Sequence, residues 1–75
     1  MSLKIINLTN FNCPNTIIEF RKKIKNINCY DKILILSNDI STKWDIPLFC
    51  NHMNYKLIFN NFKKKPYQFL IQKFE

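Results

Sequence analysis

The feature that most constrains the fold is an unbroken apolar run, Ile33–Leu36, within the segment Asp31–Asp39. Four consecutive isoleucine and leucine residues predict a strand that is covered on both sides and therefore lies centrally in its sheet. Segments of helical character precede and follow this strand. A strand between two helices indicates an α/β fold in which helical connections cross over a sheet.

The remaining segments predict helices and strands in a regular order. Strands are predicted over Leu3–Thr9, Tyr55–Phe62 and Pro66–Phe74, and helices over Pro14–Asn28 and Ser41–Met53. The last two strands are joined by a short polar segment, which favours an antiparallel hairpin. The order β-α-β-α-β-β with right-handed crossovers predicts a two-layer α/β sandwich, with both helices on one face of a mixed four-stranded sheet.

The two predicted helices differ in regularity. The apolar stripe of the first consists of Ile17, Phe20, Ile24 and Ile27. These residues recur at the spacing of a helix that is buried on one side. In the second helix, Thr42 followed by Asp45 resembles a capping box. Because Pro47 lacks a backbone N–H, this helix is expected either to begin nearer Asp45 or to be kinked at the proline.

Size and composition limit the possible functions. The 75 residues predict one domain, residues 1–75, with a modest core and no room for a pocket between domains. The formal net charge of +7 favours acidic partners, either protein or nucleic acid. No segment has the length and apolarity of a membrane span, and the first residues lack the features of a signal peptide. Three cysteines do not make a disulfide framework, so a cytoplasmic location is expected.

Cys13 directly precedes a proline at the start of the first predicted helix. Pro14 suits the first helical position, which makes Cys13 the N-cap. The free N–H groups of the next residues, Asn15 and Thr16, then face the sulfur near the positive end of the helix dipole. This environment favours the thiolate, so Cys13 is predicted to be nucleophilic near neutral pH.

Three stretches of the chain carry a resemblance to a known family. They are FNCPNTIIEFRKKIKNI, SNDISTKWDIPLFCNHMNYKL and KPYQFLIQK. The Cys-Pro pair at the head of the first helix, the block DIPLFC at Asp45–Cys50 and the late pair Pro66–Tyr67 resemble the TusA/SirA family of sulfur-carrier proteins, and in particular its TusA-like branch. The resemblance runs from about Ile6 to Lys73.

The resemblance implies a sulfurtransferase that acts as a carrier. Cys13 would take sulfane sulfur from a cysteine desulfurase as a persulfide and pass it to an acceptor cysteine of a downstream relay protein. The final product would be the 2-thiolated wobble uridine of certain tRNAs. The resemblance assigns Pro14 to the helix start and suggests that Arg21 and Lys22 help to dock partners. No metal, cofactor, membrane or direct tRNA contact is implied.

Thr16 is a departure from the family pattern, which usually reads Cys-Pro-x-Pro. A proline at this position has no N–H to offer, whereas threonine has one. We therefore expect the Thr16 N–H to support the sulfur of Cys13.

The other conspicuous residues are expected to be structural. Cys50 is predicted to be a packed thiol, and Cys29 to lie in a loop. Trp44, Tyr55 and Tyr67 are expected to pack in the core or on the sheet. The cysteines and His52 lack the paired spacing of a structural zinc site. The basic run Lys63–Lys65 is predicted to be a solvated hairpin tip.

Two other functions remain open beside the carrier interpretation. One is a small basic nucleic-acid-binding module that would contact phosphates through Lys22, Lys23, Lys25 and Lys63–Lys65. Such binding would weaken steeply with salt, whereas persulfide loading would depend on Cys13. The other is the same carrier chemistry serving a different sulfur-requiring pathway.

Overall fold

The computed structural model describes residues 3–74. Its elements are β1 Leu3–Asn7, α1 Asn15–Lys23, a 3₁₀ turn Ile24–Asn26, β2 Lys32–Ser37, α2 Thr42–His52, β3 Tyr55–Asn61 and β4 Tyr67–Lys73. This confirms the predicted order β-α-β-α-β-β. Neither helix in the described range combines the length and apolarity needed to cross a membrane.

β2 lies inside the four-stranded sheet, whose strand order is β1-β2-β4-β3. It pairs with β1 in parallel and with β4 in antiparallel orientation, and β3 is antiparallel to β4. The central position of β2 is therefore confirmed. The prediction that β2 is covered on both faces is wrong. Ile33 and Ile35 are buried, whereas Leu34 and Leu36 on the other face are only half-buried. The alternation arises because both helices pack on the same face.

The core is a single apolar layer between the helices and the inner face of the sheet. Its buried residues are Ile6, Leu8, Phe20, Ile24, Ile27, Ile33, Ile35, Ile46, Phe49, Cys50, Phe69 and Ile71. The predicted stripe of the first helix belongs to this layer, with Ile17 half-buried at its margin. The rings of Phe20 on α1 and Phe49 on α2 meet edge to face at 4.8 Å between centroids, which joins the two helices.

The second helix begins in a different way from the prediction. Its N-cap is Ser41 without a side-chain cap bond, so the predicted capping box is wrong. The hydroxyl of Thr42 instead donates to the carbonyl oxygen of Asp39. The helix starts at Thr42 and contains Pro47, so a start nearer Asp45 is also wrong.

The chain contains no glycine, and asparagine takes a position that glycine commonly fills. Asn54 follows the C-terminus of α2 and has φ 60°. Left-handed residues often end helices, and asparagine tolerates this conformation better than most residues. The chain can therefore turn directly from α2 into β3.

The contact between Phe20 and Phe49 predicts a large cost for truncating Phe20, which is 0% exposed. We expect Phe20→Ala to lower the free energy of unfolding by about 3–5 kcal/mol, because it removes apolar contacts and leaves a cavity. Ile18→Ala on the same helix is the control, since Ile18 is 46% exposed. Its cost should stay below about 1 kcal/mol. Urea unfolding followed by circular dichroism measures both, and equal losses would contradict this description of the core.

Candidate functional site at the start of the first helix

The loops that follow β1 and β2 lie at the same edge of the sheet. The carboxyl ends of β1 and β2 lie together because the two strands are parallel. The helices that follow these strands therefore also start at this edge. Ser37 at the end of β2 pairs with Tyr67 at the start of β4, which brings the Lys63–Lys65 turn to the same edge. Ligand and catalytic groups of α/β proteins are commonly found at the carboxyl ends of strands.

Cys13 is exposed in the loop between β1 and α1. The helix begins at Asn15, and Pro14 is its N-cap with φ −91° and ψ 0°. The prediction that Cys13 is the N-cap and Pro14 the first helical residue is therefore wrong by one position. No side chain makes a cap hydrogen bond in α1. Cys13 still lies just before the first helical turn, next to the exposed Asn15 and near the positive end of the helix dipole.

Thr16 does not support the sulfur in the way the sequence predicts. Its backbone N–H donates to the carbonyl oxygen of Asn12 at 3.1 Å, which closes a turn around Cys13 and Pro14. The expectation that this N–H serves the sulfur is therefore wrong. The side chain of Thr16 is only 1% exposed, so it lies beneath the loop instead.

Asp39 lies opposite Thr16 across the two loops. The hydroxyl of Thr16 and Oδ2 of Asp39 are the buried side-chain polar atoms within residues 3–74 that lack a hydrogen bond of standard geometry. The other carboxylate oxygen, Oδ1, accepts the backbone N–H of Ser41 at 3.0 Å. Desolvation acts to raise the pKa of Asp39. The hydrogen bonds of the Ser41 N–H and of the Thr16 and Ser41 side chains outweigh it, so the pKa lies below its ordinary value.

Further hydrogen bonds hold the loop that carries Cys13. The side-chain amide of Asn38 donates to the carbonyl oxygen of Thr9 at 3.3 Å, which links the loops after β1 and β2. The backbone N–H of Leu8 donates to the carbonyl oxygen of Leu36 at 2.7 Å and extends the parallel pairing past the end of β1. The Asn7 side chain accepts both the N–H and the hydroxyl of Thr9. These hydrogen bonds fix the segment between β1 and Cys13 against the loop after β2 and against the end of β1.

The three cysteines differ in environment, and all are free. Cys50 is 4% exposed, as predicted for a packed thiol, and burial raises its pKa to about 11. At pH 8 only about one molecule in a thousand would carry a thiolate there, and the thiolate is the nucleophilic form. Cys29 is exposed in the loop after the 3₁₀ turn, so its predicted loop position is confirmed. Exposure therefore leaves Cys13 and Cys29 as the accessible thiols.

The predicted partner-binding residues lie at the other end of α1. Arg21 and Lys22 are both exposed in its last turn. Arg21 lines a groove of about 710 Å³ between the helices, together with Lys25, His52 and apolar side chains of both helices. The ammonium of Lys22 lies 3.5 Å from the carboxylate of Glu19. The two cations are therefore not equivalent, since only Arg21 faces the groove.

The aromatic residues and the basic turn that the sequence singled out lie in different environments. Trp44 is 63% exposed, so the expectation that it packs in the core or on the sheet is wrong. Tyr55 and Tyr67 do pack against the core, as predicted. Lys63–Lys65 are exposed at the hairpin tip, which confirms a solvated turn. Within the described residues, His, Cys, Asp and Glu side chains form no group of three or more that could hold a metal ion.

Sequence reasoning did not single out Asp39 or Asn38. Both follow the apolar run of β2 directly, and a polar pair at the carboxyl end of a parallel strand is a signal that could have identified them. Their partners Thr16 and Thr9 lie more than twenty residues earlier in the chain. Such long-range contacts leave no periodic trace in the sequence.

The chain is thus a small two-layer α/β protein that displays a thiol immediately before its first helix. Comparison with known proteins identifies its family. The family model described as Sulfurtransferase TusA matches residues 4–73. The Sulfur carrier protein TusA of Buchnera aphidicola subsp. Baizongia pistaciae (strain Bp) is 42% identical over 69 residues, which cover 92% of this chain and 87% of the relative. The chain belongs to the TusA family of sulfur carriers.

The burial of Cys50 predicts strong protection from thiol-specific reagents. In the folded protein at pH 8, we expect iodoacetamide to modify Cys13 and Cys29 at least a hundredfold faster than Cys50, because Cys50 is both inaccessible and protonated. In urea the three rates should converge. Peptide mass spectrometry over a time course measures each site separately. Rapid native labelling of Cys50 would show that the core is open at α2.

The lowered pKa of Asp39 predicts a pH dependence of stability. A carboxylate with a folded pKa below its unfolded value of 3.8 stabilises the native state above that pH, and this contribution is lost as pH falls through the folded pKa. Asp39→Asn should therefore lower the free energy of unfolding at pH 7 and flatten its decline below about pH 4. Urea titrations at several pH values measure this, with Asp45→Asn as the control. Parallel curves for wild type and Asp39→Asn would contradict the assignment.

Proposed function

We propose that Cys13 carries sulfane sulfur as a persulfide between a donor protein and an acceptor protein. The supporting observation is the exposure of Cys13 at the start of α1, in a chain that belongs to a family of sulfur carriers. Cys50, which ends the block Asp45–Cys50, is buried in the core. A carrier needs a sulfur that two different partners can reach in turn. An exposed loop at the carboxyl ends of the strands meets that requirement.

The chemistry is two successive thiol exchanges. The Cys13 thiolate attacks the terminal sulfur of the donor's persulfide, the donor's S–S bond breaks, and the donor cysteine leaves as a thiolate. Cys13 then carries –S–SH. A thiolate of the acceptor attacks that terminal sulfur, and Cys13 leaves as a thiolate. Each step forms one S–S bond and breaks another, so no external oxidant, reductant, metal or organic cofactor is required.

The donor in this proposal is a cysteine desulfurase, and the acceptor is a cysteine of the next protein in a sulfur relay. The relative from Buchnera is named a sulfur carrier protein, which supports delivery to another protein. The proposed destination is the 2-thio group of the tRNA wobble uridine, reached through the acceptor and without direct contact between this chain and the tRNA. Free thiols at all three cysteines favour a reducing compartment, and we place the relay in the cytoplasm.

The neighbours of Cys13 would act by positioning it. Pro14 sets the backbone at the N-cap of α1, and Thr16 fixes the turn through its bond to Asn12. Asn15 is exposed next to the sulfur and is available to a docked partner. At the far end of α1, Arg21 and Lys22 would attract acidic partner surfaces and steer their approach. Arg21 is the better placed of the two, because Lys22 also interacts with Glu19.

Loading by a cysteine desulfurase with cysteine as substrate tests the proposal. We expect intact mass spectrometry to show the addition of one sulfur atom to the wild-type protein and to Cys29→Ser. The adduct should be absent from Cys13→Ser, and reducing agent should remove it because the added sulfur is held by an S–S bond.

The matched variant Cys29→Ser separates the carrier from a second accessible thiol. Loading that persists in Cys13→Ser and is lost in Cys29→Ser would assign the carrier role to Cys29. Absence of loading in the wild type would reject the desulfurase as donor.

A further inference from the structure

The outer face of the sheet, opposite the helices, bears an organised set of side chains. Side chains alternate between the two faces of a strand, so the buried residues identify the inner face and their neighbours the outer face. In β3 a register shift lies between Leu57 and Phe59, so that Leu57 pairs with Ile71 and Phe59 with the next residue of β4, Leu70. The outward residues are Leu3, Ile5, Asn7, Lys32, Leu34, Leu36, Lys56, Phe59, Asn61, Gln68, Leu70 and Gln72.

Four of these residues form a continuous apolar row across all four strands, which we call the outer stripe: Ile5, Leu34, Leu70 and Phe59. Ile5 pairs with Leu34, Leu34 with Leu70, and Leu70 with Phe59. The two ends of the stripe are open to solvent, since Ile5 is 63% and Phe59 is 50% exposed. Contiguous apolar surface of this kind indicates an interaction site.

The rows on either side of the outer stripe are polar apart from Leu3 and Leu36, and their only charged residues are the lysines of one row. One flanking row runs Leu3, Lys32, Gln72 and Lys56, and the other runs Asn7, Leu36, Gln68 and Asn61. None of the twelve outward residues is acidic. Lys32 and Lys56 therefore border the outer stripe without a carboxylate among the outward residues of the four described strands. A matching surface would be apolar at its centre and acidic at its border.

A second copy of this chain fits this face poorly. Four strands at about 4.8 Å spacing and five residues at about 3.4 Å rise give about 320 Å² for each copy, or about 650 Å² for a symmetric pair. Stable interfaces bury at least about 1,000–1,200 Å². A second copy would also bring more lysines and no acidic border. The charge therefore favours a different, acidic protein, and the small area favours a transient complex.

We propose that the outer face of the sheet is a docking surface for an acidic protein segment whose apolar residues cover the outer stripe. Carboxylates at the border of that segment would pair with Lys32 and Lys56. The helices and the sheet separate this face from the groove between α1 and α2, and Cys13 lies at the sheet edge. A partner held here would leave the thiol accessible. The inference does not depend on the sulfur chemistry proposed above.

Two synthetic peptides of about 15 residues test the proposal, each helical with leucines along one face. In one peptide glutamates border the leucines, and in the other lysines take their places. Titration into the ¹⁵N-labelled full chain should move amide signals of β1–β4 with the glutamate peptide only. Raising the salt concentration should weaken this binding, because charge pairs at the border are screened.

The double variant Ile5→Lys/Phe59→Lys should bind the glutamate peptide about tenfold more weakly, since it breaks the apolar row at both ends. Leu48→Lys is the matched control, because Leu48 is 57% exposed on the helical face, and its binding should be unchanged. The single variant Ile5→Ser, which adds no charge, should weaken binding in the same direction. Dispersed amide signals in each variant verify folding.

Several results would overturn the proposal. Equal binding of both peptides would refute the charge argument, and shifts confined to the groove of Arg21 would place the site elsewhere. Concentration-dependent dimerisation in sedimentation, abolished by Ile5→Lys/Phe59→Lys, would assign the face to a second copy. Binding to phosphatidylserine vesicles without binding to the peptide would assign it to a lipid surface. Absence of any binding would also refute it.

Discussion

The parallel pairing of β1 with β2 is the constraint on which the rest of the structure depends. It extends beyond the strands through the hydrogen bond from Leu8 to Leu36. β3 also runs in the direction of β1 and β2, because β2 and β3 are both antiparallel to β4. The connections β1–β2 and β2–β3 therefore both cross over as helices, and both helices start at the same edge. The helices then share one face of the sheet and bury one core layer. Cys13 owes its exposure at this edge to that topology.

The two-layer arrangement explains why the inner face, the carboxyl edge and the outer face of the sheet differ in exposure. The inner face of the sheet seals Cys50 in the core, where burial suppresses its ionisation. The edge displays Cys13 in a loop held by the hydrogen bond from the Thr16 N–H to Asn12 and by that from the Asn38 amide to Thr9. With two layers only, the outer face stays uncovered. A domain of this size thus exposes a thiol, a groove and a sheet face on separate surfaces.

Local patterns predicted the elements, their order and the core stripe of α1, because periodicity and apolar runs depend on near neighbours. They failed at the helix starts, where several acceptors within four residues compete for one donor group. The Thr16 N–H goes to Asn12, and the Thr42 hydroxyl goes to the Asp39 carbonyl, so neither serves the predicted cap. Trp44 is exposed although its size suggested burial, since an aromatic residue alone does not say which helix face it occupies. Specific hydrogen bonds and the packing of each helix face, and not propensity, decided these positions.

The central proposal is that Cys13, directly before α1, is a faster nucleophile than Cys29, the other exposed thiol. Cys29 provides an internal reference, because it is also exposed and lies in a loop of the same molecule. The direct test is the ratio of the alkylation rates of Cys13 and Cys29 at pH 7, measured in native buffer and in urea. The account predicts a ratio well above one in the folded protein and near one after unfolding. Equal rates in the folded protein would contradict it.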